Sequence, residues 1–108
     1  MIEIHPYVSQ RGKDIFDYWL TQLADARAQA KIAVRINRLA AGNFGDCKSL
    51  RQGLFEVRIV WGPGYRIYYA TIGTSCVLLL CGGDKRTQSA DVERAIDYWN
   101  DYKRRTGK

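Results

Sequence analysis

The feature that most constrains this chain is Gly62-Pro63-Gly64, set between two runs in which apolar and polar side chains alternate. Proline fixes its own φ and glycine accepts positive φ, so the triplet is a turn with a mechanism. Before it stands Leu54-Phe55-Glu56-Val57-Arg58-Ile59-Val60-Trp61, and after it Tyr65-Arg66-Ile67-Tyr68-Tyr69-Ala70. The pair predicts an antiparallel β-hairpin. A three-residue loop would pair Trp61 with Tyr65, Ile59 with Ile67, and Arg58 with Tyr68. Side chains alternate faces along a strand, so Phe55, Val57, Ile59, Trp61, Tyr65, Ile67 and Tyr69 share one face. Glu56, Arg58, Arg66 and Tyr68 gather on the other, where nothing in the pattern demands a cover. A one-residue slip would scatter that set and bury an arginine.

The rest of the chain supplies what the hairpin packs on. Ile2, Ile4, Tyr7 and Val8 predict a first strand, cut short by Pro6. Ile15, Phe16, Trp19, Leu20 and Leu23 then fall at helical spacing, followed by a second helical stretch over about 26–41. Its apolar stripe changes phase near Asp25, which favours a helical hairpin over one bent helix. Ala33, Ile36, Leu39 and Ala40 are expected on its buried face. Val77 to Cys81 is unbroken apolar sequence, as in a central strand covered on both sides, and Gly82-Gly83 is expected to end it. A last helix starts near Ser89 and buries Val92, Ala95, Ile96 and Trp99, with Lys103, Arg104 and Arg105 at its negative end. The order is β-α-α-β-β-β-α, an α+β fold with an antiparallel sheet, in a single domain over residues 1–108.

Composition is that of an ordinary globular chain, 46% apolar and 26% charged over 108 residues. The longest apolar run, Cys76 to Cys81, is far short of the roughly 20 residues of a membrane helix, and no signal peptide is evident. Cys47, Cys76 and Cys81 make an odd set without CxxC spacing, and His5 is the lone histidine. No disulfide framework, zinc motif or other cofactor is expected, and reduced cysteines fit a cytoplasmic protein. The net charge of +6 suits a polyanionic or acidic partner. Basic excess is greatest over residues 43–86, where Lys48, Arg51, Arg58, Arg66, Lys85 and Arg86 face only Asp46, Glu56 and Asp84. Guanidinium forks bind phosphate bidentately, and a tyrosine can stack on a base. The plainer alternative is that Glu56 pairs with Arg58 or Arg66 across the strands, worth under about 1 kcal/mol.

Three segments together carry a family likeness: Leu50-Arg51-Gln52-Gly53-Leu54-Phe55-Glu56-Val57-Arg58-Ile59, then Gly62-Pro63-Gly64-Tyr65-Arg66-Ile67-Tyr68-Tyr69, then Leu79-Leu80-Cys81-Gly82-Gly83-Asp84-Lys85-Arg86-Thr87-Gln88. In that combination the chain resembles the RelE/ParE toxin superfamily, and within it the HigB-like "addiction module killer" branch of bacterial toxin–antitoxin systems. The likeness covers nearly the whole chain, including the helical hairpin. It implies a RelE-like fold and a metal-independent endoribonuclease that cleaves mRNA, commonly on the ribosome, and so inhibits translation. It also implies a cognate antitoxin, typically a small helix-turn-helix protein, in a toxin–antitoxin hetero-oligomer. Residue by residue, Arg66 matches the arginine that contacts the scissile phosphate region, Arg58 a basic residue of the catalytic face, and Lys85 the basic residue after the last strand. Where the best-known members carry a catalytic tyrosine after that strand, this chain has Thr87, Gln88 and Asp91; Tyr98 and Tyr102 lie further along the helix. Some relatives have lysine in place of Glu56.

On such a mechanism a ribose 2′-hydroxyl attacks the adjacent phosphate, leaving a cyclic phosphate and a 5′-hydroxyl end. Arg58, Arg66 and Lys85 would stabilise the developing charge. Glu56 is the candidate base by elimination, and Lys48, Arg51, Tyr68 and Arg86 are the further candidates for RNA contact. The alternatives are a ParE-like inhibitor of DNA gyrase and a non-catalytic relative that binds RNA or antitoxin.

Overall fold

The structure is a computed structural model, and it describes residues 1–107. Its elements are β1 (Glu3–Pro6), α1 (Ile15–Thr21), α2 (Ala26–Ala40), β2 (Cys47–Ser49), β3 (Leu54–Ile59), β4 (Tyr65–Ile72), β5 (Cys76–Asp84) and α3 (Gln88–Thr106). Single 3₁₀ turns, Arg51–Gly53 and Lys85–Thr87, precede β3 and α3. The five strands lie in the order β1-β5-β4-β3-β2. The fold is α+β as expected, but the sheet is mixed. Strands β2 to β5 are antiparallel, whereas β1 runs parallel to β5, Glu3 opposite Cys76. The helical hairpin reverses the chain before it reaches β2, and the short strand β2 was absent from the expected order.

Asp25 does separate two helices. Its side chain accepts from the backbone N–H of Arg27 (2.9 Å) and Ala28 (3.3 Å), capping α2, as Asp14 caps α1 through Asp17 N–H at 3.0 Å. Such caps are worth about 0.5–2 kcal/mol each. The face of α2 that packs inward carries Ala28, Ile32 and Leu39; Ala33, expected there, is exposed. These residues and Phe16 of α1 cover Val57, Ile59, Ile67, Tyr69, Val77 and Leu79 on one face of the sheet. On the other face, Ala95 and Ile96 of α3 cover Leu54, Tyr68, Ala70, Leu78 and Leu80. The face that the alternating pattern left open is therefore covered along much of its length. The signal missed was that β5 is apolar on both sides, so each side needs a helix.

The hairpin register also differs from the expected one. Ile59 faces Tyr65, Arg58 faces Arg66, and Glu56 faces Tyr68. Val60 and Trp61 leave the strand and lengthen the turn. A shift of two residues preserves the faces, so Arg58, Arg66, Glu56 and Tyr68 still share one side. Gly82 and Gly83 stay inside β5 instead of ending it. A Cβ on Gly82 would stand 2.4 Å from the Trp19 ring, and one on Gly83 would stand 1.7 Å from an Asp91 carboxylate oxygen. The glycines are there for close approach, not for a turn.

Candidate functional site

At the turn end of the hairpin the sheet runs out from under α3, and there the basic residues collect. Arg58 and Arg66 are direct cross-strand partners, and Arg66 faces Gly83 on its other side. Lys85 follows β5 immediately and stands against the turn, its Cβ 3.6 Å from where a Gly64 Cβ would be. These three line an open cleft of about 350 Å³ together with Asp46, Ile59, Val60, Trp61, Gly62 and Gly64. Trp61 is half-buried at its rim and donates its indole N–H to Asp25 at 3.1 Å.

Two like charges placed side by side on a sheet repel unless each has a counter-charge. Each does. The Arg58 side chain donates to Asp46 at 3.0 Å, and Asp46 holds the guanidinium more firmly protonated than usual. Arg58 is further fixed through its backbone, with its N–H on the Asp46 carbonyl and its carbonyl taken by Arg35, both at 2.9 Å. Arg66 lies deeper, its side chain 11% exposed, with Nε 3.8 Å from a Glu56 carboxylate oxygen. Its Nε has no hydrogen-bond partner among the described residues.

Beneath the two arginines lies a buried polar layer. Glu56 is 1% exposed and accepts a hydrogen bond from Gln88 Nε2 at 2.9 Å. Tyr68, opposite Glu56, is fully buried, and its hydroxyl has no hydrogen-bond partner among the described residues. Burial above all, then the charges of Glu56 and Asp91, pushes the Tyr68 phenol far above its usual pKa, so it is a donor and not a base. Asp91, also buried, accepts from Thr87 Oγ1 at 2.5 Å and pairs with Arg94. Its carboxylate lies over Gly83, tying the start of α3 to the end of β5.

The structure thus gathers Arg58, Arg66 and Lys85 around one cleft, with Glu56 and Tyr68 directly below. The other expected RNA contacts lie apart from it. Lys48 is exposed on edge strand β2, paired across to Glu56. Arg51 sits beside a second depression, of about 390 Å³, with Gln88 and Ser89, and is ion-paired to Glu93. Arg86 is exposed but turned back to Asp84 at 3.1 Å, holding that carboxyl below the usual range. Tyr98 stacks on Tyr7 at 5.0 Å and Tyr102 on Trp99 at 5.9 Å, so both serve packing. Gln88 is the residue whose role the sequence leaves open. Asp91 reads as a helix-dipole residue, yet two glycines inside an apolar strand were a legible sign that something approaches closely there.

The molecule is thus a small mixed α+β sheet with adjacent arginines and a lysine around one cleft. The chain belongs to the phage-derived protein Gp49-like family (DUF891), which it matches over residues 19–97, a family associated with the toxins of toxin–antitoxin pairs. It is also 54% identical over 80 residues to an uncharacterized protein of Haemophilus influenzae, an alignment covering 74% of this chain and 81% of that one. The family match spans all three cleft cations. Among the described residues no helix is long and apolar enough to cross a membrane.

Proposed function

We propose that the chain is the toxin of a type II toxin–antitoxin pair and acts as a RelE- or HigB-like endoribonuclease on mRNA at the ribosome. The observation that carries this reading is the adjacency of Arg58 and Arg66, each held by its own carboxylate, with Lys85 across the turn. Such a trio presents preformed positive charge to a scissile phosphate. Preorganised charge of this kind commonly supplies the largest catalytic contribution, about 10²–10³-fold per donor lost. In the proposed step the ribose 2′-oxygen forms a bond to phosphorus as the bond to the 5′-oxygen breaks. The 2′-hydroxyl proton passes to a base, and the leaving oxygen takes a proton. Asp46 lines the cleft but is taken up by Arg58, and Glu56, the carboxylate facing Arg66, is buried beneath Gln88. We therefore read it first as the group that orients Arg66, and as a proton acceptor only where bound RNA displaces the Gln88 amide.

The burial of Glu56 and Tyr68 is also the observation that favours a second reading, a binding protein that holds RNA, antitoxin or gyrase without cutting. One experiment separates the two. Wild type and Arg66→Ala are expressed from an inducible promoter, and transcript 5′ ends are mapped within minutes. New 5′-hydroxyl ends inside coding regions, absent from the variant, are expected. Growth arrest with intact transcripts and a DNA-damage response would move the assignment to gyrase. Full cleavage by folded Arg66→Ala would remove the arginine-centred mechanism.

A further inference from the structure

At the opposite end of β5 from the cleft, the parallel pairing of β1 creates a juxtaposition that sequence spacing conceals. Glu3 and His5 are two apart on one strand and so project to the same face. Cys76 faces Glu3 across the pair. Their ligand-capable atoms, one carboxylate oxygen, one imidazole nitrogen and one thiol sulfur, all lie within 4.8 Å of one another. We infer that Glu3, His5 and Cys76 form a binding site for a borderline divalent cation, zinc foremost.

The donor set decides the class of ion. Thiolate and imidazole with one carboxylate suit zinc, whereas magnesium and calcium demand oxygen ligands. Tetrahedral zinc, with bonds of roughly 2.0–2.3 Å, holds its ligand atoms about 3.3–3.8 Å apart. The observed spread of the three side chains' ligand atoms, at most 4.8 Å, exceeds that spacing by about 1 Å. The backbone under them is fixed on both sides: Glu3 N–H donates to Ser75 O at 2.8 Å, and Tyr7 N–H to Leu79 O at 2.9 Å. Imidazole and carboxylate already converge, His5 Nε2 lying 2.8 Å from Glu3 Oε2. Both are open to solvent, 52% and 73% exposed, and Cys76 is half-buried beside them. Three protein ligands leave a fourth position for water. On coordination the Cys76 thiol gives its proton to solvent, so affinity rises with pH.

A His5–Glu3 surface pair alone would be worth little and would be indifferent to Cys76. That contrast sets the test. The reduced full-length chain is titrated with cobalt(II), following the thiolate-to-cobalt charge-transfer absorption, and with zinc by calorimetry. One equivalent per chain is expected. The absorption band should be lost in Cys76→Ser and kept in Cys47→Ser, and zinc affinity should fall roughly tenfold or more in His5→Ala and Glu3→Gln. Zinc should also raise the melting temperature of wild type and not of Cys76→Ser, since the ion joins β1 to β5. No stoichiometric binding by the reduced wild type would overturn the site, as would a band that survives Cys76→Ser. Nine residues of β5 place the site roughly 26 Å from the cleft, so RNA cleavage by these variants is expected to be unchanged.

Discussion

The two faces of the sheet are built to different rules. The face under α1 and α2 buries no charged side chain among the described residues, from Phe16 and Ile32 to Val77 and Leu79, and its Tyr69 hydroxyl is bonded to Cys47 Sγ at 3.1 Å. The face under α3 contains Glu56, Asp91 and Asp101, the buried charged residues among those described, together with the Tyr68 hydroxyl. Burying a charge costs free energy unless it is paired and hydrogen-bonded, so a chain that places its buried carboxylates on one side is restricting that cost to one layer. The first face can be understood as stability alone. The second trades stability for a fixed arrangement of charge beside the cleft.

The largest expected effect comes where that second face is tightest. Gly83→Ala drives a methyl group into the Asp91 carboxylate, at a position where neither β5 nor α3 can retreat without losing the other. A loss of about 3 kcal/mol or more is expected, measured by urea unfolding. A melting curve like that of wild type would mean the α3 contact is loose and the comparison of faces is wrong. Next comes Arg66→Ala, with cleavage down about 10²–10³-fold at retained secondary structure. A rate within a few-fold of wild type would separate the cleft from the chemistry.

Much of this was legible in the sequence, for reasons that differ by residue. The hairpin faces were readable because a two-residue error in register does not exchange them, so Arg58 and Arg66 came out together although their partners were misassigned. Asp25 was readable because an apolar stripe cannot change phase within one helix. The parallel strand β1 was not, since four residues ending in proline carry no mark of direction. The cover over Glu56 and Tyr68 was hidden for another reason. A polar residue in an alternating pattern is assumed to face water, and only the helix that lands on it reveals otherwise.

Ile32→Ala tests the first face on its own terms. Ile32 is fully buried, and its truncation should cost about 2–4 kcal/mol while leaving cleavage per folded molecule unchanged. Activity lost beyond the folded fraction would show that the apolar face also shapes the cleft. Glu56→Gln makes the opposite test. The side chain keeps its size and its contact with Gln88 but loses the charge facing Arg66, so stability should move by about 1 kcal/mol or less. Cleavage should fall about tenfold through a misplaced Arg66, with the shape of its pH profile retained. Disappearance of a pH-dependent limb would instead make Glu56 the base.

The smallest effect is on pH dependence and concerns the far end of the polar layer. The Tyr7 hydroxyl donates to Asp101 at 2.6 Å, and Gln10, Arg104 and Arg105 are further partners of the carboxylate. Burial first, then the bond and charge of Asp101, raises the Tyr7 pKa from 10.0 to about 12. Its contribution to stability is whole below pH 10.0 and is lost as pH climbs toward about 12. Asp101 has the opposite sign. Its carboxyl is held low, chiefly by the Tyr7 bond, so its contribution is present above the ordinary carboxylate range and is lost in acid. Tyr68 and Tyr69 are also raised by burial and add to the alkaline loss, so the wild-type curve alone does not isolate Tyr7. The difference between wild type and Tyr7→Phe does: it should be flat near neutrality and shrink at both extremes of pH. A difference that is constant across the whole range would mean that Tyr7 contributes packing alone, and that the buried charges of this face are less coupled to their partners than those beside the cleft.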